Sequence, residues 1–350
     1  MNIASRLRLC ALPLAVSLAL AACGGSSAPS AATDTAAPPA TAEGQPAAVE
    51  LPAGWQRVAG AEVPALTGQS PALPTAVQSD DGAQAEVSDI SRIIAGGDDV
   101  IAVLEALGLG KQVFAAPTNT TTQAGQAAPH QFLFNRTTGV EGVVSLHGSL
   151  FLGNSLRRHT VLASKLREVG ESAVVIDDLQ PAPDKVRKVA AAVGLADVGQ
   201  TLATEVQRQL DEAAAIGKGL AHAPRVIHVS ATGGGGTPTV AGADSASAEM
   251  IALAGGINVG SEAGVKNYSQ LSNEGVIAAA PEVILVTEHD LQQFGGADGL
   301  WKAYPTLKQT PAGAANRVWV MPDVQLKYTS VGTGAGALAL AKALAALPPA

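Results

Sequence analysis

From Val87 onward, short apolar runs alternate with stretches whose apolar residues recur at helical spacing. The runs predict strands at Ile90–Ala95, Gln112–Ala116, Leu150–Leu152, Ala173–Ile176, Arg225–Ser230, Val283–Leu285 and Arg317–Met321. Between the first two, Val100, Ile101, Leu104 and Leu107 form one stripe, opened at Asp98 and closed at Gly108. Further helices are predicted over 156–169, Asp184–Val193 and Thr201–Ile216, from Asp244 through Leu253, and over Ala337–Leu347. Strands alternating with helices imply mainly parallel sheets. The helical stretch without a strand, near the middle of the chain, reads as a connector between two such sheets.

One unit occurs twice. Glu141-Gly142-Val143-Val144, running on to Leu150-Phe151-Leu152, is echoed by Glu274-Gly275-Val276-Ile277, running on to Val283-Ile284-Leu285, at a constant offset of 133 residues. Each copy reads as a short helix starting near Thr138 or Ser272, a turn at His147-Gly148 or Ala280-Pro281, and a buried strand. A unit repeated that far apart predicts two similar lobes, and two lobes make a ligand cleft.

At 350 residues with 47% apolar content, the chain has room for both lobes and their cores. A net charge of -8 argues against a nucleic-acid partner. Arg6 and Arg8 precede an apolar stretch, Leu9–Leu20, too short for a comfortable membrane span. Ala21-Ala22-Cys23 then fits a bacterial lipoprotein signal, cut before Cys23 so that its thiol is lipidated. With Cys10 removed and Cys23 lipidated, no thiol is left for a disulfide in an exported protein. The expected organisation is therefore a signal peptide over 1–23 and a flexible Ala/Pro/Thr/Ser/Gly tether over 24–50. An irregular or hairpin lead-in spans 51–86, an N-terminal lobe 87–183, a helical connector 184–222 and a C-terminal lobe 223–350.

Candidate chemistry is sparse. Gly233–Gly236 lacks the Lys-Ser/Thr of a P-loop and reads as a loop. No Ser-His-Asp order or Gly-x-Ser-x-Gly elbow occurs, and the six histidines show no zinc-protease spacing. These absences leave the enzyme reading without a nucleophile or a metal cage. His147 and His228 read as structural. His130, at the end of a polar loop beside Phe132 and Phe134, is expected near a strand's C-terminal end, where α/β sheets bind ligands. Tyr268 and Tyr328 are the tyrosine candidates, each next to a lysine, Lys266 or Lys327, and a nearby cation would favour a phenolate able to bind ferric iron. Thr138-x-x-Glu141 fits a capping box, whereas Ser272 and Glu274 sit one residue closer together. What the two copies share is the carboxylate, and a symmetric carboxylate pair suits docking onto a two-fold partner bearing arginines.

Over about Val87–Leu347 the chain resembles the solute-binding proteins of bacterial ABC importers, and most nearly the hemin-binding group, which is related to vitamin B12 and siderophore binders. The resemblance is carried by Ser91-Arg92-Ile93-Ile94, Leu107-Gly108-Leu109-Gly110, Asn135-Arg136-Thr137 to Leu146, Ala254-Gly255-Gly256-Ile257-Asn258, Leu271–Val286, Gly295–Leu300 and Thr310-Pro311-Ala312-Gly313. It implies two Rossmann-like α/β lobes with mainly parallel sheets, joined by a long helix, and a ligand cleft between them. It implies no catalysis, a monomer that carries hemin to a permease dimer with its ATPase, and an extracytoplasmic, lipid-anchored location. Glu141 and Glu274 match the family's permease-docking glutamates. Many hemin binders have a tyrosine in the loop after the second strand, where this chain has Asn119-Thr120-Thr121-Thr122; other relatives have a histidine near Arg136. The resemblance thus implies heme between the lobes with His130 and Tyr268 as axial ligands, Tyr328 in reserve, and Thr122, Phe132, Phe134 and Arg136 lining the pocket, Arg136 pairing with a propionate. A ferric siderophore or a corrinoid is the alternative ligand. An extracytoplasmic metal-dependent hydrolase, or a zinc or manganese receptor, would need several histidines converging on one metal.

Overall fold

Where apolar residues run unbroken, both faces of a strand are covered. The computed structural model describes residues 51–132, 139–233 and 237–348. Its strands, in chain order, are β1 (Gln56–Arg57), β2 (Thr75–Gln78), β3 (Gln84–Val87), β4 (Ile93–Ala95), β5 (Val113–Pro117), β6 (His130–Phe132), β7 (Leu150–Gly153) and β8 (Ala173–Val175), then β9 (Arg225–Gly233), β10 (Thr237–Ala241), β11 (Ile257–Asn258), β12 (Tyr268–Ser269), β13 (Val283–Thr287) and β14 (Val318–Met321). Every residue of β4, β7, β8, β13 and β14 is buried.

The first lobe's sheet has the order β6-β5-β4-β7-β8, parallel throughout. The second has the order β1-β14-β13-β9-β10-β12, with β11 also beside β9. There β9, β13, β14 and β1 are parallel, while β10 runs antiparallel to β9 and β12 antiparallel to β10. The stretch before the first lobe is divided between the two sheets. β1 adds to the second lobe's sheet, and Trp55 donates its indole N–H to Asn316 Oδ1 at 3.1 Å. The β2–β3 hairpin instead leads to the first lobe: Asp81 pairs with Arg167 at 2.9 Å, and the Asp80 amide donates to the Val175 carbonyl.

The connector is the Ala196–Lys218 helix, 23 residues long and so about 35 Å. Its N-terminal half places Ala203 and Val206 in the first lobe's core, and Ala213 lies in a second-lobe core. It packs between the Ala182–Ala192 and Thr333–Ala345 helices. Gly199 allows the close approach to the former, because a Cβ there would stand 2.2 Å from Ala190 Cβ. Among the described residues no helix is long and apolar enough to cross a membrane.

The echoed units form corresponding elements. The Val140–Val144 helix follows Gly139 as N-cap, and the Asn273–Ala279 helix follows Ser272, whose hydroxyl accepts from the Gly275 amide at 3.0 Å. Both glutamates therefore occupy the second helical position. Thr138, on which the expected capping box rests, lies outside the described residues. Val143 and Val276 are buried, and β7 and β13 each lie beside the first strand of their own lobe. The turns match too: His147 (φ 52°) and Ala280 (φ 43°) are both left-handed.

Candidate functional site

Ligands of open α/β sheets bind beyond the carboxyl ends of the strands, where the strand order reverses. In the first lobe that region carries Asp98 and Asp99 after β4, Thr120–Thr122 after β5, Asn154 after β7 and Asp178 after β8. A hydrogen-bond network fills it. Asp98 accepts from the Thr120 hydroxyl and from the amide and hydroxyl of Thr121, the latter two at 2.8 Å. Asp99 accepts from Lys185 Nζ at 2.6 Å and from Asn154 Nδ2 at 2.8 Å. Lys185 and Asp99 are almost wholly buried, with side chains 1% and 2% exposed. The Asn154 amide donates to His159 Nδ1 at 3.0 Å, which requires a neutral ring. Burial, followed by the Arg158 charge, holds His159 down at about 4.

The second lobe contributes a matching cluster. Asp290 accepts from Lys327 Nζ at 2.8 Å, from the Thr287 hydroxyl at 3.0 Å and from the Ala231 amide at 3.0 Å. Burial pushes this carboxyl upward, but the Lys327 charge and hydrogen bonds outweigh it, so the net shift is downward. Asp323 accepts from the His289 amide with Oδ2 at 3.0 Å, while among the described residues its buried Oδ1 has no hydrogen-bond partner. Burial raises its pKa. His228, with no exposed surface, is held at about 3 by burial; its Nδ1 meets Ser247 Oγ at 2.9 Å, and among the described residues its Nε2 has no hydrogen-bond partner.

The segment Lys327–Val331 joins the two clusters. Lys327 pairs with Asp290 in the second lobe. Two residues on, the Thr329 hydroxyl donates to the Asp178 carbonyl at 3.1 Å, and the Ser330 hydroxyl donates to the Asp99 carbonyl at 2.7 Å. Val331 is buried in the first lobe's core. Tyr328 lies in the middle of this strap. Burial and then the charges of Asp98, Asp323 and Asp99 raise its pKa well above the ordinary phenol value. Among the described residues its hydroxyl has no hydrogen-bond partner. Each of the other two tyrosine hydroxyls is engaged: that of Tyr268 with Ser247 Oγ at 3.2 Å, and that of Tyr304 as a donor to the Ser230 and Thr239 carbonyls.

The sequence-derived candidates separate on this geometry. Tyr268 stands in β12 with its ring edge-on to His228 at 5.7 Å, and burial raises its pKa. The cation expected to favour a phenolate is not available at either tyrosine: Lys266 is exposed, and Lys327 is committed to Asp290 while carboxylates act on Tyr328. His130 opens β6 instead of lying at a strand's C-terminal end. It is exposed, its ring tilted at 58° to that of Phe114 with centroids 4.6 Å apart, and Arg92 packs over the Phe114 ring at 3.9 Å. Thr122 is buried and caps the Gln123–Gln126 helix through the Gly125 amide. Phe132 packs near Gly142, under the first echoed helix. Phe134, Arg136 and Cys23 lie outside the described residues. Glu141 and Glu274 are exposed and, among the described residues, form no ion pair. Also among the described residues, no three His, Cys, Asp or Glu side chains converge as a metal-ligand set.

Sequence reasoning missed the strap and the buried lysine. Asp98, expected as a helix cap, is the first helical residue after Gly97. Acidic pairs at the ends of predicted strands, Asp98-Asp99 and Asp177-Asp178, were the available signal. Lys185 carried none, because a lysine in an amphipathic helix reads as solvent-facing.

A model of the periplasmic binding protein family matches residues 93–324. The chain belongs to that family. Among solved structures, the periplasmic heme-binding protein RhuT from Roseiflexus sp. RS-1, in apo form, is 30% identical over 73% of this chain and 98% of that one, with a TM-score of 0.64. The periplasmic heme-binding protein BhuT, in complex with two hemes, is 27% identical over 72% and 98%, with a TM-score of 0.61. The heme binding protein HmuT is 24% identical over 84% and 98%, with a TM-score of 0.69, which speaks to the fold alone. No curated protein matches. As a periplasmic binding protein the chain is extracytoplasmic and a binder, not an enzyme. The two lobes and long connecting helix are those of the family.

Proposed function

We propose that this chain captures hemin outside the cytoplasm and delivers it to an ABC permease dimer and its ATPase. Family membership supports the binding role, and the heme-binding relatives support the ligand. The observation that carries the reading on this chain is Tyr328: a half-buried tyrosine between the lobes whose hydroxyl no described residue engages. Tyr328 is accordingly the preferred protein ligand for the iron, ahead of Tyr268 and His130, with the porphyrin held between the lobes. Arg136 remains the proposed propionate partner, with Phe132 and Phe134 as apolar lining. Cys23 anchors the chain to the membrane as a lipoprotein, and it works as a monomer. Glu141 and Glu274 dock on the permease, supported by their equivalent positions in the two lobes.

The test is a hemin titration of the full chain followed by absorbance. A saturable one-to-one Soret shift is expected, with charge-transfer bands of tyrosinate ligation that Tyr328→Phe abolishes. No saturable shift would move the ligand to a ferric siderophore or a corrinoid. That second reading draws on the Thr120–Thr122 loop, whose hydroxyls are spent on Asp98 and on helix capping.

A further inference from the structure

Two chain segments cross from one lobe to the other at the same place. In the lead-in, Val58 is buried in a second-lobe core, and Val63, five residues on, packs against the first lobe's core. After β14 the crossing is shorter: Val324 packs against the first lobe's core, and Leu326 is buried in the same second-lobe core as Val58. Between the two residues of each crossing stands one that meets the other segment. The Gly60 amide donates to Gln325 Oε1 at 2.8 Å, and Gln325 Nε2 donates to the Gly60 carbonyl at 3.2 Å. Gln325 is 4% exposed, so parting this pair strands polar atoms with little access to water. Gly60 has to be small, because a Cβ there would stand 2.2 Å from the Ala335 carbonyl oxygen, in the first turn of the Thr333–Ala345 helix.

The lead-in is tied down on both sides of that point. Toward the second lobe, the Val58 amide donates to the Val320 carbonyl at 2.9 Å, and Trp55 sets its ring edge-on to Trp301. Toward the first lobe, the Leu66 amide donates to the Ala106 carbonyl and the Ala72 amide to the Gly194 carbonyl, both at 2.9 Å. Gly108 (φ 75°) admits the Leu66 carbonyl oxygen, which a Cβ would meet at 2.0 Å. The family match begins at residue 93, after this segment.

We infer that the lead-in is a clasp across the lobes, closed by the Gly60–Gln325 pair, and that its release sets how fast a ligand leaves the cleft. Crossings of different length stretch differently when the lobes rotate about the Ala196–Lys218 helix. Rotation therefore works against the pair that joins them. A cleft held at one width keeps its ligand until the pair parts. The consequence for hemin rests on the interlobe site proposed above; the clasp itself does not.

The test is amide hydrogen exchange on the full chain. Wild type is compared with Gln325→Met, which keeps the side-chain volume and loses both polar atoms, and with Gly60→Ala, which disturbs the lead-in from the other side. Both variants should speed exchange about ten-fold at Val58, Leu66 and Ser330, while the amides of β7 and β13 keep their wild-type rates. Loaded with hemin, both should lose it to an excess of apomyoglobin about five-fold faster or more, with the Soret band unmoved. Wild-type exchange at Val58, Leu66 and Ser330 in both variants overturns the clasp. So does faster exchange throughout β7 and β13, which would make the pair a support of the whole fold. Faster exchange at the crossing with unchanged hemin loss overturns the link to ligand release. Failure of wild type to bind hemin overturns the heme assignment, and the exchange rates still decide the clasp.

Discussion

Glu141 and Glu274 hold the same position, the second residue of a short helix, in two lobes whose strands and turns otherwise repeat at the same spacing. Both carboxylates are exposed and, among the described residues, outside any ion pair. Acidic residues in a helix's first turn favour that helix slightly, a gain that needs no matched pair. Replacing both with alanine should leave hemin affinity unchanged and reduce stimulation of the permease ATPase by about ten-fold or more. Equal stimulation by wild type and the double variant would reject the docking role.

Lys185 is a test of the first lobe's floor. Lys185→Met leaves the Asp99 carboxylate buried with Asn154 as its main remaining side-chain donor. The expected loss is about 3–5 kcal/mol in urea unfolding. Adding Asp99→Asn should recover much of it, because the uncompensated charge is then gone. A single variant as stable as wild type would mean that water reaches the pair.

Stability should fall as pH drops below the ordinary histidine range. His159 is held at about 4 and His228 at about 3, both mainly by burial. In the unfolded chain both titrate near 6.5. Between those values the unfolded state binds more protons, so their contribution is complete above pH 6.5 and is lost on acidification toward the folded values. At pH 5 each neutral ring costs about 2 kcal/mol of stability. His159→Gln should flatten its share of the pH dependence, read from urea midpoints at pH 7 and pH 5.

Ala280 ends the second echoed helix with φ 43°. A Cβ is strained there and glycine is not, so Ala280→Gly should stabilise the fold by about 0.5–1 kcal/mol after the entropic cost of glycine. A lower urea midpoint would show that the methyl contributes packing greater than the strain.

Much of the fold was legible because it depends on neighbours in sequence. The unbroken apolar runs at Leu150–Leu152 and Val283–Leu285 became buried parallel strands, and the repeated Glu-Gly units became equivalent helices with equivalent left-handed turns. Boundaries moved where packing extended an element: the connector predicted from Thr201 begins at Ala196, because Gly199 lets it lie against Ala190. β10 and β12 were not foreseen, and neither shows an apolar run; β10 forms as an antiparallel addition to β9, and β12 as an antiparallel addition to β10.

The sequence by itself determined the two α/β lobes, the helical connector and the matched carboxylates, since hydrophobic period and repeat are local properties of the chain. Tertiary structure alone decided which chemistry meets between the lobes. Ser330 reaches the Asp99 carbonyl across 231 residues, and Lys327 finds Asp290 across 37. Among the described residues the Tyr328 hydroxyl has no hydrogen-bond partner, while Tyr268 meets Ser247 and Lys185 is buried against Asp99. No periodicity encodes them, because the free energy of a buried charge or hydroxyl is set by partners that only folding brings within hydrogen-bond reach.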